Sequence, residues 1–321
     1  NAIPEGEWQH HWLITPADSN AWTSSLPSKV AYLGPASLPE YTQHESLYTW
    51  LAFDRAIQPP YDIACLEEAT RIATLGHHSA QQAFSQGASE FEVHLAYLAA
   101  TQQDASETPY PNIVGINEHA AVLHYEQKSR QRPFRPLTLL VDAGASHHGY
   151  ASDITRTYPV GGKFSDEQRI LYQIVLDAQY AAIEQAKPGN TWIDPHNAAV
   201  RVITEGLVAN GLLKGDVEEL ISENKYFSFY MHKTGHWLGL DVHDVGDYKI
   251  SEEWRELEPG MALTIEPGIY VSPSDDVDEK WWNIGIRIED DILITKTGNE
   301  VLTGALIKEI DDIEMHMSQS A

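Results

Sequence analysis

Residues 137–158 read LTLLVDAGASHHGYASDITRTY and carry two acids on either side of a glycine-containing turn. The apolar run Leu137–Val141 predicts one strand, and Tyr150–Tyr158 predicts a second strand after the turn. If the two strands pair as a hairpin, the carboxylates of Asp142 and Asp153 converge on one face. Each could be an ordinary acid at a strand end, but Asp is disfavoured in a buried strand unless it is paired or bound to a metal.

Two glutamates continue apolar runs in the same way. Glu266 lies in the predicted strand Ala262–Val271, and Glu289 lies in the predicted strand Ile284–Thr295. A lone buried Glu is costly, so each needs a compensating positive charge. Metal ions would provide that charge, and a salt bridge to Arg287 is the structural alternative.

The segment HKTGHWLGLDVH contains three histidines that differ in their neighbours from the others. His232 and His236 have the i, i+4 spacing of a zinc-protease helix, but the general-base Glu of that motif is replaced by Lys233, and Gly235 argues against a helix. We therefore predict His236 as a metal ligand. His232 and His243 suit a second role, the polarisation of a substrate, since an imidazole can hydrogen-bond a developing oxyanion.

Most of the remaining histidines fall on predicted loops, turns or helix faces, where we expect solvated side chains: His10, His11, His44, His77, His78, His94, His147, His148, His196 and His316.

Together the selected side chains predict a metallohydrolase. Four carboxylates and one imidazole can neutralise two divalent cations, which at about 3.5–4 Å apart activate a water and polarise a carbonyl. The five candidates are Asp142, Asp153, His236, Glu266 and Glu289.

Composition excludes several other classes of protein. The 321 residues include 47 Asp and Glu against 21 Lys and Arg, and the net charge of −26 disfavours nucleic acid and anionic membranes as partners. A single cysteine, Cys65, excludes an intrachain disulfide and a thiolate metal site, and permits a cytoplasmic location. No apolar run is long enough for a membrane span, and the first residues do not predict a signal peptide. Phosphate-binding glycine loops and the G-x-S-x-G elbow are missing from the sequence.

Element patterns predict an α+β fold with a largely antiparallel sheet, because helices and strands are partly segregated along the chain. Residues 1–55 contain too few apolar residues for a core of their own, and residues 56–321 form the main domain. The predicted helices and strands not yet named are Lys29–Leu33 (strand), Tyr61 to Gly87 and a following segment capped by Ser89 (helices), Asn112–Ile116 and Ala120–Tyr125 (strands), Ser165–Ala186, Pro195–Leu213 and Asp216–Asn224 (helices), Trp237–Val242 (strand), and a helix within Ala305–Met317.

In their order along the chain, the motifs VDAGA, SDITRT, HKTGHWLGLDVHD, TIEPGIY and GIRIEDD resemble those of the pita-bread metallopeptidases, the family of methionine aminopeptidase, aminopeptidase P and prolidase. The resemblance runs from Ala56 to the C-terminus and is greatest to bacterial Xaa-Pro dipeptidase. It implies a creatinase/aminopeptidase-like pita-bread fold for residues 56–321. Residues 1–55 would be the remnant of an N-terminal creatinase-like domain plus a linker.

The resemblance also implies roles at matching positions. Asp142 would bind one metal, Asp153 and Glu289 would bridge both, and His236 and Glu266 would complete the second site. A bridging hydroxide would attack the scissile carbonyl, and Glu266 would move its proton. The implied substrate residues are His232 and His243 (carbonyl), Arg287 (substrate carboxylate), and Tyr110 and His124 (pocket lining).

Substrate and metal follow from the same resemblance. It implies Xaa-Pro dipeptides, two Mn²⁺ ions with Co²⁺ or Zn²⁺ as alternatives, and a homodimer; the oxygen-rich ligand set also favours Mn²⁺ over tetrahedral Zn²⁺. Two stretches, HWLGLDVHDVG and WWNIGIRIEDD, look more like aminopeptidase P, and Lys233–Gly235 replaces the Gly-Leu-Gly-like segment of prolidases. An aminopeptidase acting on longer Xaa-Pro peptides is therefore the alternative. A non-catalytic binding protein is disfavoured, because such relatives lose ligands.

Overall fold

The computed structural model of the chain describes residues 45–135 and 137–319. The chain divides into two units, residues 1–51 and 52–321, and only residues 45–51 of the first are described. The predicted strand Lys29–Leu33 and the histidines His10, His11 and His44 lie outside the described residues. The assignment of residues 1–55 to a domain remnant stays a prediction.

Helices form where the sequence predicts them, and two of them begin at reciprocal capping boxes. Ser89 accepts a hydrogen bond from the backbone of Glu92, whose side chain returns one to the Ser89 backbone. Ser165 and Gln168 make the same exchange. The helices of the described residues are α1 (Glu45–Arg55), α2 (Pro60–Ser85), α3 (Glu90–Thr101), α4 (Asp166–Gln185), α5 (Ile193–Ala209), α6 (Val217–Ser222) and α7 (Ile310–Gln319). None of them is long and apolar enough to cross a membrane.

Every pair of strands in the described residues is antiparallel, which confirms the predicted α+β class. The strands are β1 (Ile113–Ile116), β2 (Thr138–Asp142), β3 (Ser146–His147), β4 (Tyr150–Ala151), β5 (Thr155–Pro159), β6 (Lys249–Ile250), β7 (Glu253–Trp254), β8 (Ala262–Ile265), β9 (Gly268–Val271), β10 (Ile284–Arg287), β11 (Asp290–Ile294) and β12 (Asn299–Val301). Two three-stranded sheets have the orders β1-β2-β5 and β12-β11-β8, and β9 pairs with β10.

Three runs predicted as single strands are each broken in two. Tyr150–Tyr158 divides into β4 and β5, Ala262–Val271 into β8 and β9, and Ile284–Thr295 into β10 and β11. Buried residues resume directly after each break, because the flanking strands are buried on both sides, so each run was predicted as one strand. A candidate ligand lies in each break: Asp153, Glu266 and Glu289. At each of these points the chain leaves one sheet and enters another.

Two further strand predictions are wrong. Instead of a strand at Ala120–Tyr125, a 3₁₀ helix covers Asn117–Ala121 and an irregular segment follows. The helix approaches β10 so closely that a Cβ on Gly285 would lie 1.9 Å from the Ala120 carbonyl oxygen. The segment Trp237–Val242 is also irregular and contacts β8 through one isolated bridge.

A buried apolar layer connects the sheets with the helices. Side chains of β2, β8 and β10 pack with α4 and α5 in one cluster, whose members include Leu139, Val141, Leu171, Val175, Ile203, Ile265 and Ile286. Burial of such side chains supplies most of the stabilising free energy of a domain. The breaks that carry the acids are therefore fixed between well-packed strands.

His77 and His196 are buried, although the sequence predicted solvated side chains. The Nε2 of His77 lies 3.0 Å from the carbonyl oxygen of Ala143, and the Nδ1 of His196 lies 2.8 Å from the hydroxyl of Thr234. The prediction was wrong because each ring occupies the face of its helix that packs on the site-bearing loops.

We expect His77 to make folding stability depend on pH. Burial lowers the pKa of His77 to about 3, although its hydrogen bond to Ala143 opposes this. The unfolded chain takes up a proton near pH 6.5. The stability contributed by the neutral ring is thus present above that pH and is lost as the pH falls towards 3. His77→Gln should show a shallower loss of Tm from pH 7 to pH 5 than the wild type. The exposed control His148→Gln should follow the wild type, and parallel curves for all three proteins would contradict the expectation.

Candidate metal centre

Three of the predicted ligands face one another. One ligand atom each from Asp153, His236 and Glu289 lies within 4.8 Å of the other two. Among residues 45–135 and 137–319, this is the one group of three or more His, Cys, Asp or Glu side chains whose ligand atoms lie close enough together to hold a metal ion. All three residues come from irregular segments, two of them from the breaks between strands.

Asp153 is fixed by hydrogen bonds at both carboxylate oxygens and at its backbone. The hydroxyl of Tyr110 donates to Oδ1 at 2.6 Å, and Nε2 of His236 lies 3.2 Å from Oδ2. The backbone N–H of Asp153 donates to the carboxylate of Asp291 at 3.1 Å. Tyr110 therefore contacts a candidate ligand directly, and its predicted place in the lining of the substrate pocket stays a prediction.

Glu289 is held by Thr155, the first residue of β5. The Thr155 hydroxyl donates to Oε2 of Glu289 at 2.6 Å, and the Glu289 N–H donates to the Thr155 carbonyl at 3.1 Å. In the register of the sheet, Thr155 lies opposite Asp142. Thr155 therefore lies beside both Asp142 in β2 and Glu289 in the break between β10 and β11.

Glu266 lies at the edge of this cluster, next to His236 and His232. The Nδ1 of His236 donates to the Trp237 carbonyl at 3.0 Å, so its Nε2 points at the acids and lies 3.5 Å from Oε1 of Glu266. His232 is nearby, with its Nδ1 3.8 Å from Oε2 of Glu266 and its Nε2 3.0 Å from the hydroxyl of Tyr270.

Arg287 pairs with Asp142 and not with Glu289. Its Nη2 donates to Oδ2 of Asp142 at 2.5 Å, its Nη1 to the Tyr270 hydroxyl at 2.9 Å and its Nε to the Thr155 hydroxyl at 3.1 Å. Arg287 is 2% exposed, so its guanidinium lies on the buried side of the acids. Its predicted pairing with a substrate carboxylate stays a prediction, and the present contacts leave the guanidinium little freedom to make it.

The acids carry more negative charge than their protein neighbours balance. Burial raises the pKa of Glu266 to about 7, against the opposing effect of His236. Burial and the charge of Asp153 raise the pKa of Glu289 well above its usual range. Oδ1 of Asp142 is buried without a hydrogen-bond partner.

The side chains present fit divalent cations. Carboxylate oxygens with one imidazole are the donor set of Mn²⁺-like ions, and two positive ions would stabilise the crowded acids in their charged form. The unpartnered oxygen of Asp142 and the mutual proximity of Asp153, His236 and Glu289 are the observations that support this fit.

A cavity of about 370 Å³ opens onto the cluster. It is lined by Leu123, His124, His232, Lys233, Gly235, His236, His243, Tyr248 and Glu266. The exposed ring of His243 packs against His236, with 4.2 Å between the ring centroids. A molecule in this cavity would therefore meet two candidate ligands and three further histidines. Those three are the predicted substrate histidines.

Sequence reasoning missed several side chains that support the cluster. Asp291 is fully buried and holds the backbone of Asp153, while Thr155 and Tyr270 fix Glu289, Arg287 and His232. One signal was available: residues 289–291 are three consecutive acids inside an apolar segment. The partners of Thr155 and Tyr270 lie more than 15 residues away and had no such signal.

Comparison with known proteins gives a consistent result. Residues 64–296 match the family model described as metallopeptidase family M24. The Xaa-Pro aminopeptidase of Haemophilus influenzae is 45% identical over 265 residues, which cover 82% of this chain and 61% of that protein. The Xaa-Pro dipeptidase of Shewanella sp. strain MR-4 is 36% identical over 347 residues, covering 95% of this chain and 78% of the relative. The chain spans about three fifths of the length of the aminopeptidases.

Solved structures share the fold. Aminopeptidase PepP of Pseudomonas aeruginosa superposes with a TM-score of 0.82 at 41% identity, over 87% of this chain and 63% of that one. Aminopeptidase P of Escherichia coli with the inhibitor Pro-Leu gives a TM-score of 0.79 at 41% identity, over 85% and 62%. These similarities confirm the predicted pita-bread fold.

Proposed function

This chain belongs to metallopeptidase family M24, and on that premise we propose that it hydrolyses the peptide bond that precedes proline. The observation that carries metal-dependent hydrolysis is the buried cluster of acids around one imidazole beside an open cavity, and the specificity for proline is proposed from the similarity to Xaa-Pro aminopeptidases and dipeptidases. The residues proposed to hold two divalent cations are Asp142, Asp153, His236, Glu266 and Glu289. We propose Mn²⁺ as the working ion, with Co²⁺ or Zn²⁺ as substitutes. The predicted homodimer and cytoplasmic location are also proposals.

A pair of bound cations would lower the pKa of a water and polarise the scissile carbonyl. The protein's own residues supply the remaining chemistry. Glu266 is the candidate acid that lines the cavity, which supports our proposal that it carries a proton from the attacking water to the leaving proline nitrogen. His243 is exposed to the cavity and can donate to the oxyanion, while His232, fixed by Lys233 and Tyr270, orients the substrate.

Longer peptides are our first candidate substrates, which reverses the preference of the sequence analysis for dipeptides. A dipeptidase must recognise the free α-carboxylate of the C-terminal proline, and Arg287 was predicted to do so. Its guanidinium is buried against Asp142, Thr155 and Tyr270. The higher identity to aminopeptidases supports the same choice. Dipeptide hydrolysis remains the second candidate, supported by the Shewanella dipeptidase match over 95% of the chain.

We expect faster turnover of Ala-Pro-Ala than of Ala-Pro. The measurement is kcat/KM for both peptides at equal Mn²⁺ concentration, with Ala-Ala-Ala as the control that lacks proline. A preference of about tenfold or more for Ala-Pro, equal to about 1.4 kcal/mol, would reverse the ranking. Equal cleavage of all three peptides would contradict the proline specificity itself.

His243→Ala should separate chemistry from metal binding. The ring packs on His236 but is not among the proposed ligands, so the metal content should stay close to that of the wild type. We expect kcat to fall by about 100- to 1,000-fold, as for the loss of an oxyanion donor. Chelator treatment should abolish activity of the wild type, and added Mn²⁺ should restore it. Loss of metal from His243→Ala would contradict the assigned role.

A further inference from the structure

Glu90 is a buried acid at the first turn of α3 that the proposed reaction does not use. Its side chain is 2% exposed, and Nδ1 of His119 lies 2.6 Å from its carboxylate. Both carboxylate oxygens are saturated. Oε1 accepts from the Ile116 N–H at 2.9 Å and lies 2.6 Å from Nδ1 of His119, while Oε2 accepts from the Tyr125 hydroxyl at 3.0 Å and the Ser129 N–H at 2.7 Å.

These four partners lie along one stretch of chain: Ile116 ends β1, His119 lies in a 3₁₀ helix, and Tyr125 and Ser129 lie in the irregular segment that follows. After the 3₁₀ helix Asn117–Ala121, residues 123–130 form neither helix nor strand. Within the wrongly predicted strand Ala120–Tyr125, the Tyr125 hydroxyl donates to Glu90, and Ile116, His119 and Ser129 contact Glu90 from either side of that range. The rings of His119 and Tyr125 also stack on each other, 4.2 Å apart and 18° from parallel.

Two residues that lie between His119 and Tyr125 in the sequence line the cavity of the proposed active site. Leu123 and His124 line the cavity together with His232, His243 and Glu266. His124 is exposed and lies in the irregular segment, so its own neighbours do little to fix its position. Glu90 holds the chain on both sides of it.

The backbone around Glu90 is itself fixed by hydrogen bonds at the start of α3. The capping box of Ser89 and Glu92 fixes the first turn of α3, and the Phe91 N–H donates to the Ser129 carbonyl at 3.1 Å. The Ser129 N–H returns a bond to Glu90, so helix and segment are joined in both directions. The helix dipole further stabilises a negative charge at this turn.

We propose that Glu90 is a positioning residue, which clamps residues 116–129 so that His124 faces His232 and His243 across the cavity. The inference rests on the proposed function, since His124 matters for turnover only if the cavity binds the peptide. Nothing in the clamp contacts the candidate ligands, so its effect should be separable from metal binding.

The test is a double-mutant cycle between Glu90→Gln and His124→Ala, measured as kcat/KM on Ala-Pro-Ala. An amide offers one acceptor oxygen where the carboxylate offers two, so some of the four donors lose their partner. In the wild-type background Glu90→Gln should reduce kcat/KM by about 10- to 100-fold, the cost of misplacing a site residue by about 1 Å. In the His124→Ala background the same change should cost less than about twofold, because neighbours that act as a unit are not additive.

Controls keep the result independent of general destabilisation. Glu92→Gln changes an acid in the same helical turn, keeps the capping box and contacts Arg132 instead of the clamped segment, so its kcat/KM should stay within about twofold of wild type. Tyr125→Phe removes one bond to Glu90 and should give a smaller effect with the same dependence on His124, which keeps the test valid if Glu90→Gln does not fold. Equal losses in both backgrounds would overturn the inference.

Hydrogen exchange gives a readout that needs no activity. Amides of residues 117–129 should exchange about tenfold faster in Glu90→Gln, while those of β2 and β5 stay unchanged. Unchanged exchange in the segment would overturn the clamp. Failure of the wild type to cleave any Xaa-Pro peptide would instead overturn the proposed function, and the exchange result would still decide the clamp.

Discussion

Asp153→Asn is expected to abolish peptidase activity and to empty the metal site. The change removes one negative charge from a cluster whose net charge is what attracts the cations, and it leaves an amide at the point nearest His236. Loss of an outer partner of a ligand already costs about 10- to 100-fold in metal affinity, so loss of a ligand should exceed about 100-fold. Activity should fall below about 1% of wild type, measured on Ala-Pro-Ala beside the metal content of the dialysed protein.

The matched control for Asp153→Asn is Tyr110→Phe. This variant keeps all the acids and removes only the 2.6 Å bond to Oδ1 of Asp153. Its metal affinity should fall by about 10- to 100-fold and its activity should return with excess Mn²⁺, whereas Asp153→Asn should not recover. Full activity of Asp153→Asn would show that Asp153 is not a ligand.

Three of the five candidate ligands could be found from the sequence because each breaks a local rule. An acid directly after a buried apolar run has a high desolvation cost, and that cost was visible at Asp142, Glu266 and Glu289 without any structure. Helix starts were accessible for a related reason, since a capping box such as Ser89 to Glu92 is a bond between near neighbours. The roles of Asp142, Glu266 and Glu289 as metal ligands remain predictions.

Contacts between residues far apart in the sequence could not be predicted from local patterns of this kind. No local pattern links Thr155 to Glu289 or Glu90 to Tyr125, because each pair is joined by the fold and not by sequence spacing. The strand breaks were missed for the same reason: burial of β10 and β11 on both sides leaves an apolar run that continues through Ile288. Whether the chain stays in one sheet or enters another at such a point depends on which strands lie beside it in the fold.

Asp290→Asn is expected to lower the free energy of unfolding by about 3–5 kcal/mol, the usual cost of breaking one partner out of a buried ion pair. Oδ1 of Asp290 accepts from Nη2 of Arg156 and from the Thr303 hydroxyl, both at 2.6 Å, and Oδ2 accepts from Nζ of Lys308 at 2.7 Å. Both Asp290 and Arg156 are fully buried. Burial alone would raise the pKa of Asp290, but Arg156 and Lys308 hold it well below its usual range.

Removal of the carboxylate leaves two cations without an acid, one of them the buried Arg156. The guanidinium also donates to the carbonyls of Thr155 and Glu289, so the same network fixes the backbone on which the metal site is built. We expect the Tm of the metal-free protein to fall by about 6–20 °C, on the scale of about 2–4 °C per kcal/mol for a domain of this size. Asp311→Asn is the matched control, because its pair with Arg169 lies on the surface and should contribute little. If Arg156→Met restored stability to Asp290→Asn, the cost would lie in the uncompensated charge; if both single variants melted like the wild type, the network would be structurally dispensable and the metal site would be held by strand pairing alone.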